Sequence, residues 1–592
     1  MFYPTIEENQ NSRSLIDTWL GYNHNRRIGL GEFYDMENLS SDLYPLMSPR
    51  KIRPVLVEDE EEVIRGILFT DNNLCYVKGD TLYYAQKSLD LTTILPEEKQ
   101  GKTDLQTLLR FGSYVLIYPM KVYVNVYDFE DSGLMEDTVK APAGVTITYS
   151  ICDMDGNDYE NVHTGEEAPA SGYWLREGLG LYLYNESTKS WEAVPTVYIR
   201  ITMPGADLSA LKEGDTVTMN TTLENVNEGS IIQKIQGDSF VVIGIMDVVT
   251  KSEQTSEAWT LTVQRKLPEL DYVCTSGNRV WGCHYGYLED GSIVNEIYAS
   301  KLGDFKNWYT FKGVSTDSYA VSVGIPGEWT GCISYKGYPT FFKENAVYKV
   351  YGAYPAQYQI LQDDIRGVQK GSSRSLAIVG EYLIYKSAAD VVAYDGSSPV
   401  SISSQLGRET RYYNAVGGSC MGKYYLLMKT VTGKPFYFVY DMEHGIWEKE
   451  DALDIIGFTS SESGQLYAAT ESKIYGLGST DNIIFLNKLV GEDYVSWWAE
   501  TGDIGLETPD HKYVGRVSIR AQIPYNSEIS VQVSYDDRPY SEVCLLRGNS
   551  DLGSQSMYFI PLRCDHFKVK LAGHGNVVVY SMSMSVSYGS EE

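Results

Sequence analysis

The run Asp153–Asp158 (DMDGND) sets carboxylate and amide oxygens at alternate positions, the raw material of a calcium loop. The helix-flanked calcium loop also needs glycine at its sixth position and glutamate at its twelfth. Here Gly156 arrives fourth and Thr164 stands twelfth, so the run is expected to be a type I′ hairpin turn. His24, His163, His284, His444, His511, His566 and His574 show no metal-ligand spacing. Gly178-Leu179-Gly180 is too short for a dinucleotide loop and no helical pattern follows it. No Gly-x-Ser-x-Gly elbow occurs. The cysteines (Cys75, Cys152, Cys274, Cys283, Cys332, Cys420, Cys544 and Cys564) contain no C-x-x-C pair and mostly flank apolar runs, where they act as small hydrophobes. Reduced thiols of this kind fit folding in a cytoplasm. No catalytic residue, cofactor site or metal ligand is therefore expected. The candidate site residues are cations near the N-terminus, Arg26, Arg27, Arg50 and Arg53, expected to bind a partner protein.

The elements behind these residues are set by a repeat. Gly337, Gly380, Gly422 and Gly464 each open a phrase of two apolar runs, at steps of 43, 42 and 42 residues. A period near 42 that carries strand pairs is the mark of a β-propeller blade. The phrase extends back to Gly277, Gly112 and a turn at Asn72, which makes seven blades. The glycines are expected in matching turns of successive blades. The 60-residue step from Gly277 to Gly337 implies an excursion at Ile293–Trp308. The 165 residues between Gly112 and Gly277 leave room for an inserted β-rich domain at 131–266. Asp104–Arg110 carries the one weak helical pattern.

From 485 to 592 the apolar residues alternate, as in Ile529, Val531, Val533 and Tyr535, which predicts an antiparallel β-sandwich. The expected fold is all-β: a seven-bladed propeller (56–130 and 267–484) with an inserted β-domain and a C-terminal β-sandwich. Residues 1–55 balance six basic against seven acidic side chains and lack a strand-length apolar run. They are expected to form an extended arm lying on a neighbouring subunit, with part of 43–57 closing the last blade.

The chain has 592 residues, 48 tyrosines and a net charge of -30. That charge argues against sequence-specific nucleic-acid binding, which needs basic stripes. Carboxylates that keep DNA from adhering would gather on one face or channel, whereas solubility alone would spread them evenly. No apolar stretch reaches the length of a membrane helix, and the N-terminus lacks the basic-then-apolar order of a signal peptide.

Two further spacings bear on family. Tyr440-x6-Trp447 has the look of a kelch blade, yet Tyr184-x6-Trp191 repeats it inside the insertion, so it reports a cross-strand pair. Ser300–Trp308 (SKLGDFKNW) is the nearest approach to the Asp box of sialidase propellers, with aspartate and glycine in the wrong order. The runs NRVWGC (278–283), NEIYASKLGDFKNW (295–308), GYPTFFKENAVYKVYG (337–352), RGVQKGSSRSLAIVGEYLIYKSAADVVAYDG (366–396), ENLSSDLYPLMSPRKIR (37–53) and RCDHFKVKLAG (563–573) resemble minor structural proteins of the head–tail modules of phages and prophages of Gram-positive bacteria. A more distant similarity, of architecture alone, is to packaged-DNA stabilisation proteins of the tail hub. The resemblance implies a virion component of neck or tail, assembled in the host cytoplasm. Its implied partners are portal, adaptor or tail proteins and copies of itself, and it implies no catalytic residues. The other expectation is a carbohydrate- or receptor-binding propeller, glycan-active or not, contacting the host surface.

Overall fold

The repeated glycines sit where the chain must reverse with positive φ. In the computed structural model, Gly112, Gly277, Gly337, Gly380, Gly422 and Gly464 lie between the first and second strands of successive four-stranded sheets, at φ from 58° to 83°. Asp71 and Asn72 do the same in the first sheet, at φ 48° and 59°. Where both turn residues are left-handed, as at Lys336–Gly337, the turn is type I′ and matches the twist of its strands. A methyl group at Gly337 would meet no atom within 4 Å, so dihedral freedom, not space, selects glycine there. The structure describes residues 11–588 apart from 60, 161, 177–179, 195–196, 222, 224–225, 245–251, 255–259, 288–290, 479–491, 507–510, 549–550 and 559–561.

Seven such sheets form the propeller: blade one at 64–90, two at 107–134, three at 272–322, four at 331–363, five at 377–401, six at 412–450 and seven at 457–478. Their innermost strands follow one another round a closed ring, from 64–70 through 457–460 and back. Blade seven has only three strands of its own. Val55–Glu58 supplies the fourth, pairing antiparallel with Lys473–Tyr475. Aromatic rings fill the seams between blades, for example Phe342 against Tyr385 (5.3 Å between centroids) and Phe69 against Tyr467 (5.3 Å).

Two local expectations differ. Ile293–Ala299 is the third strand of blade three, fully paired to Trp281–Tyr287, so the extra length lies in the 300–318 loop after it. Thr107–Phe111 is an innermost strand paired to Tyr114–Tyr118, not a helix; ladder pairing overrides its short helical pattern.

The insertion carries its strands between 137 and 265, after the last strand of blade two at Ser132–Leu134. It has its own core, including Ile147, Ile201, Phe240 and Val263. The DMDGND run is a turn as expected. However, only Gly156 there has positive φ, 83°, so it is not type I′. The Asp153 carboxylate accepts the backbone N–H of Asp155 (2.9 Å) and Asn157 (2.8 Å), which occupies the oxygen a cation would need. Tyr184 faces Trp191 and Tyr440 faces Trp447 across hairpins, as the spacing indicated. Gly178 and the boundary at 485 lie outside the described residues.

The C-terminal strands form two sheets, one including Lys512–Gln522 and Val578–Tyr588, the other Ser496–Thr501, Glu528–Tyr535 and Phe567–His574. From residue 11 onward, the segment expected as an extended arm is instead built into the fold, and residues 1–10 lie outside the described residues. Asn11–Ile16 pairs antiparallel with Met582–Ser587, and Glu32–Glu37 pairs with Trp498–Thr501. Ile16, Trp19, Tyr22, Phe33 and Met36 are each no more than 4% exposed, within a core shared by the sandwich and blades five and six. Alone the segment buries too little to fold, but the sandwich offers it open sheet edges to complete.

Candidate binding cleft and the junction beside it

After its sandwich strands the N-terminal segment runs along the outer strand of blade six, Ile446–Glu450. The Asn38 N–H donates to the Lys449 carbonyl (3.0 Å), and the Ser41 hydroxyl donates to Asp441 (2.5 Å). Gly21, at φ 74°, passes so close that a Cβ there would collide with the Ile446 side chain and the Trp447 carbonyl oxygen.

This junction absorbs two of the expected partner-binding cations. Arg50 and Arg53 are 6% and 3% exposed. Arg53 bonds Glu450 at 2.6 Å and Asp451 at 3.1 Å; Arg50 bonds Asp451 at 2.8 Å and Glu492 at 2.7 Å. They tie the N-terminal segment to blade six and are buried within the chain. Burial of guanidinium groups is tolerated because each is matched by carboxylates. Arg26 and Arg27 do lie on the surface, and Arg26 reaches Glu409 at 3.3 Å within the same chain.

Glu409 belongs to the linker that crosses from blade five to blade six. The His24 N–H donates to the Gln405 carbonyl (2.8 Å), and the Asn25 amide donates to the Ser404 carbonyl (2.9 Å). Trp447 Nε1 donates to the Ile402 carbonyl (2.7 Å), so the linker is pinned on both sides. Between it and the hairpin 387–390 opens a cleft of about 630 Å³. Lys386 forms its base, and Ser401, Thr410, Tyr413, Arg408 and Arg411 stand around it. Lys386 is 3% exposed and donates to the Ser387 carbonyl; burial pulls its pKa down to about 8. The cleft's acid, Asp390, is held by Arg366 (2.6 Å) and by the Ser387 hydroxyl (2.6 Å). Those bonds keep its pKa below the usual carboxylate range although burial works against them. Arg408 and Arg411 are exposed. They have no ion pair among the described residues. Sequence reasoning missed this site. Its signal is the cation-rich linker GRETRYY (407–413) in a strongly acidic chain.

Elsewhere, Asp503, Asp537 and His566 bring ligand atoms together in the sandwich. Lys568 already lies 2.9 Å from Asp537 and 3.3 Å from Asp503, so its ammonium takes the place of a cation. Burial opposes charge on His566, but Asp565, Asp503 and Asp537 outweigh it and hold its pKa up. The propeller axis is different again. Among the described residues none of the seven innermost strands holds an aspartate or glutamate, and their charged side chains are Arg65 and Arg110. Carboxylates gathered on the channel are thus not what the innermost strands show.

No protein-family model matches the chain, and no curated protein is similar to it. Among solved structures, the exo-beta-1,3-galactanase of Phanerochaete chrysosporium is similar at 10% identity, over 53% of this chain and 94% of that one, with a TM-score of 0.20. A Trypanosoma rangeli sialidase is similar at 9% identity over 70% and 96%, with a TM-score of 0.23. The acylaminoacyl peptidase of Pyrococcus horikoshii is similar at 9% identity over 75% and 59%, with a TM-score of 0.24. Likeness at this level assigns neither activity nor ligand; the seven-bladed propeller rests on its own sheet order.

Proposed function

We propose that this chain is a non-catalytic scaffold, a structural component of a tailed-phage particle at the neck or tail that binds other virion proteins. The observation that carries the scaffold reading is the weave of its termini. One N-terminal segment completes both sandwich sheets, buries Arg50 and Arg53 against blade six, and closes blade seven. Ends tied into several elements suit a part under load, because no single element opens without breaking paired backbone. Placement in a particle comes from the resemblance of 37–53, 278–396 and 563–573 to phage structural proteins. The test is to express the chain beside the head–tail proteins encoded next to it and look for co-purification. Recovery of the chain alone, with every neighbour tried, would contradict the reading.

A second reading, contact with saccharides of the host surface, is favoured by the hydroxyl- and cation-lined cleft between blades five and six. Incubation with host wall polysaccharide should then give binding without released sugar. Released sugar would overturn the non-catalytic part of the account.

A further inference from the structure

The cleft between blades five and six stands out by its charge. The whole chain carries -30, yet Lys386, Arg408 and Arg411 border this cleft against one acid, Asp390. Asp390 is already neutralised by Arg366, so the side chains around the opening leave uncompensated positive charge. In so acidic a molecule a local positive field focuses anions. The cations differ in role: Lys386 is buried with its ammonium on the Ser387 carbonyl, whereas Arg408 and Arg411 are exposed and have no ion pair among the described residues. A guanidinium fork fits the two oxygens of a carboxylate or phosphate.

The rest of the lining decides what carries the anion. Ser401, Thr410 and Tyr413 border it with hydroxyls, groups that both donate and accept as those of a sugar do; Ser401 already bonds Asp390 and Thr410 bonds Tyr412. Tyr413, half-buried, offers an aromatic ring on which the C–H face of a sugar can pack. The volume, about 630 Å³, falls in the range of small-molecule pockets, roughly 300–1,000 Å³. The site is also held in advance of binding: its linker wall is fixed by His24, Asn25 and Trp447, so little ordering cost is left for the ligand.

We propose that this cleft binds a saccharide bearing an anionic group, with Arg408 and Arg411 holding the anion and the hydroxyl-lined wall holding the sugar. The assignment rests on the saccharide reading above and adds its site and ligand class. The anion is a sugar carboxylate or a sugar phosphate, which two probes separate.

Calorimetric titration of the full chain uses a galacturonate oligosaccharide, glucose phosphate, a neutral glucose oligosaccharide and inorganic phosphate. At least one anionic sugar should bind, and the other probes should bind at least about tenfold more weakly. The exposed pair R408Q/R411Q should weaken that binding by about tenfold to a hundredfold, since each arginine contributes a charge-assisted bond. Arg547→Gln, in the sandwich and away from the cleft, should leave it unchanged. Equal affinity for inorganic phosphate would overturn the sugar part, and equal affinity for the neutral sugar would overturn the anion part. Undiminished binding by R408Q/R411Q would place the site elsewhere and sink the cleft while the saccharide reading survived. No binding by any probe would overturn both.

Discussion

Arg53→Met separates an internal role from a docking role for the N-terminal cations. In the folded chain Arg53 is 3% exposed and bonds Glu450, itself 8% exposed, at 2.6 Å. Methionine fills much of the same volume but leaves Glu450 without its nearest cation. The remaining one, Arg50, stands 3.9 Å away and is engaged with Asp451 and Glu492. Breaking a buried pair from one side costs about 3–5 kcal/mol, and the residual Arg50 attraction puts this case near the lower end. For a cooperative unit of 150–250 residues each kcal/mol moves Tm by about 2–4 °C, and less for a larger unit, so a fall of roughly 5 °C is expected. The assay is calorimetric melting, with hydrogen exchange on Val55–Glu58 to locate the loss, since multidomain unfolding need not be two-state. R53M/E450Q, which also removes the stranded charge, should recover most of the loss. An unchanged Tm in R53M, or a double variant as unstable as the single one, would refute the buried-pair argument.

Other outcomes follow from the same geometry. Deleting residues 2–34 removes the paired sandwich strand Asn11–Ile16 and the first half of Glu32–Glu37, so the truncated chain should melt well below the parent or aggregate; Phe33→Ala alone should cost about 3–5 kcal/mol. Gly21→Ala should destabilise far more than Gly337→Ala in the same melting assay. Both have positive φ, but only Gly21 has blade six in the way of a Cβ. Lys386 has its pKa lowered to about 8 by burial, below its unfolded value. Its charge therefore opposes folding at neutral pH, and that penalty fades as pH rises through about 8 toward the ordinary lysine value of 10.5. Lys386→Met should accordingly gain stability relative to the parent at pH 7 and lose that advantage near pH 10.5, read by denaturant midpoints.

The propeller was legible because glycine at Gly277, Gly337, Gly380, Gly422 and Gly464 is a local demand of the backbone, repeated at a fixed step. A turn that needs positive φ writes itself into the sequence wherever it occurs. The N-terminal segment was not legible for the opposite reason. Trp19, Tyr22, Phe33 and Met36 are scattered apolar residues most of whose core partners lie hundreds of residues downstream, in blades five and six and in the sandwich. Nothing local distinguishes them from a loop. Arg50 and Arg53 read as surface cations because Glu450, Asp451 and Glu492 meet them only once blade six and the sandwich have folded together. The cleft was hidden in the same way. Lys386 ends a strand of the repeated phrase and Arg408 and Arg411 sit in a linker, so only the packing of blade five against blade six joins them.

The most direct test of the scaffold account is immunogold electron microscopy of particles induced from the host that carries this sequence. Antibody against the chain should label the neck or tail, with several copies per particle, and the chain should sediment with the particles. Unlabelled particles, with the chain left entirely in the soluble fraction, would contradict it.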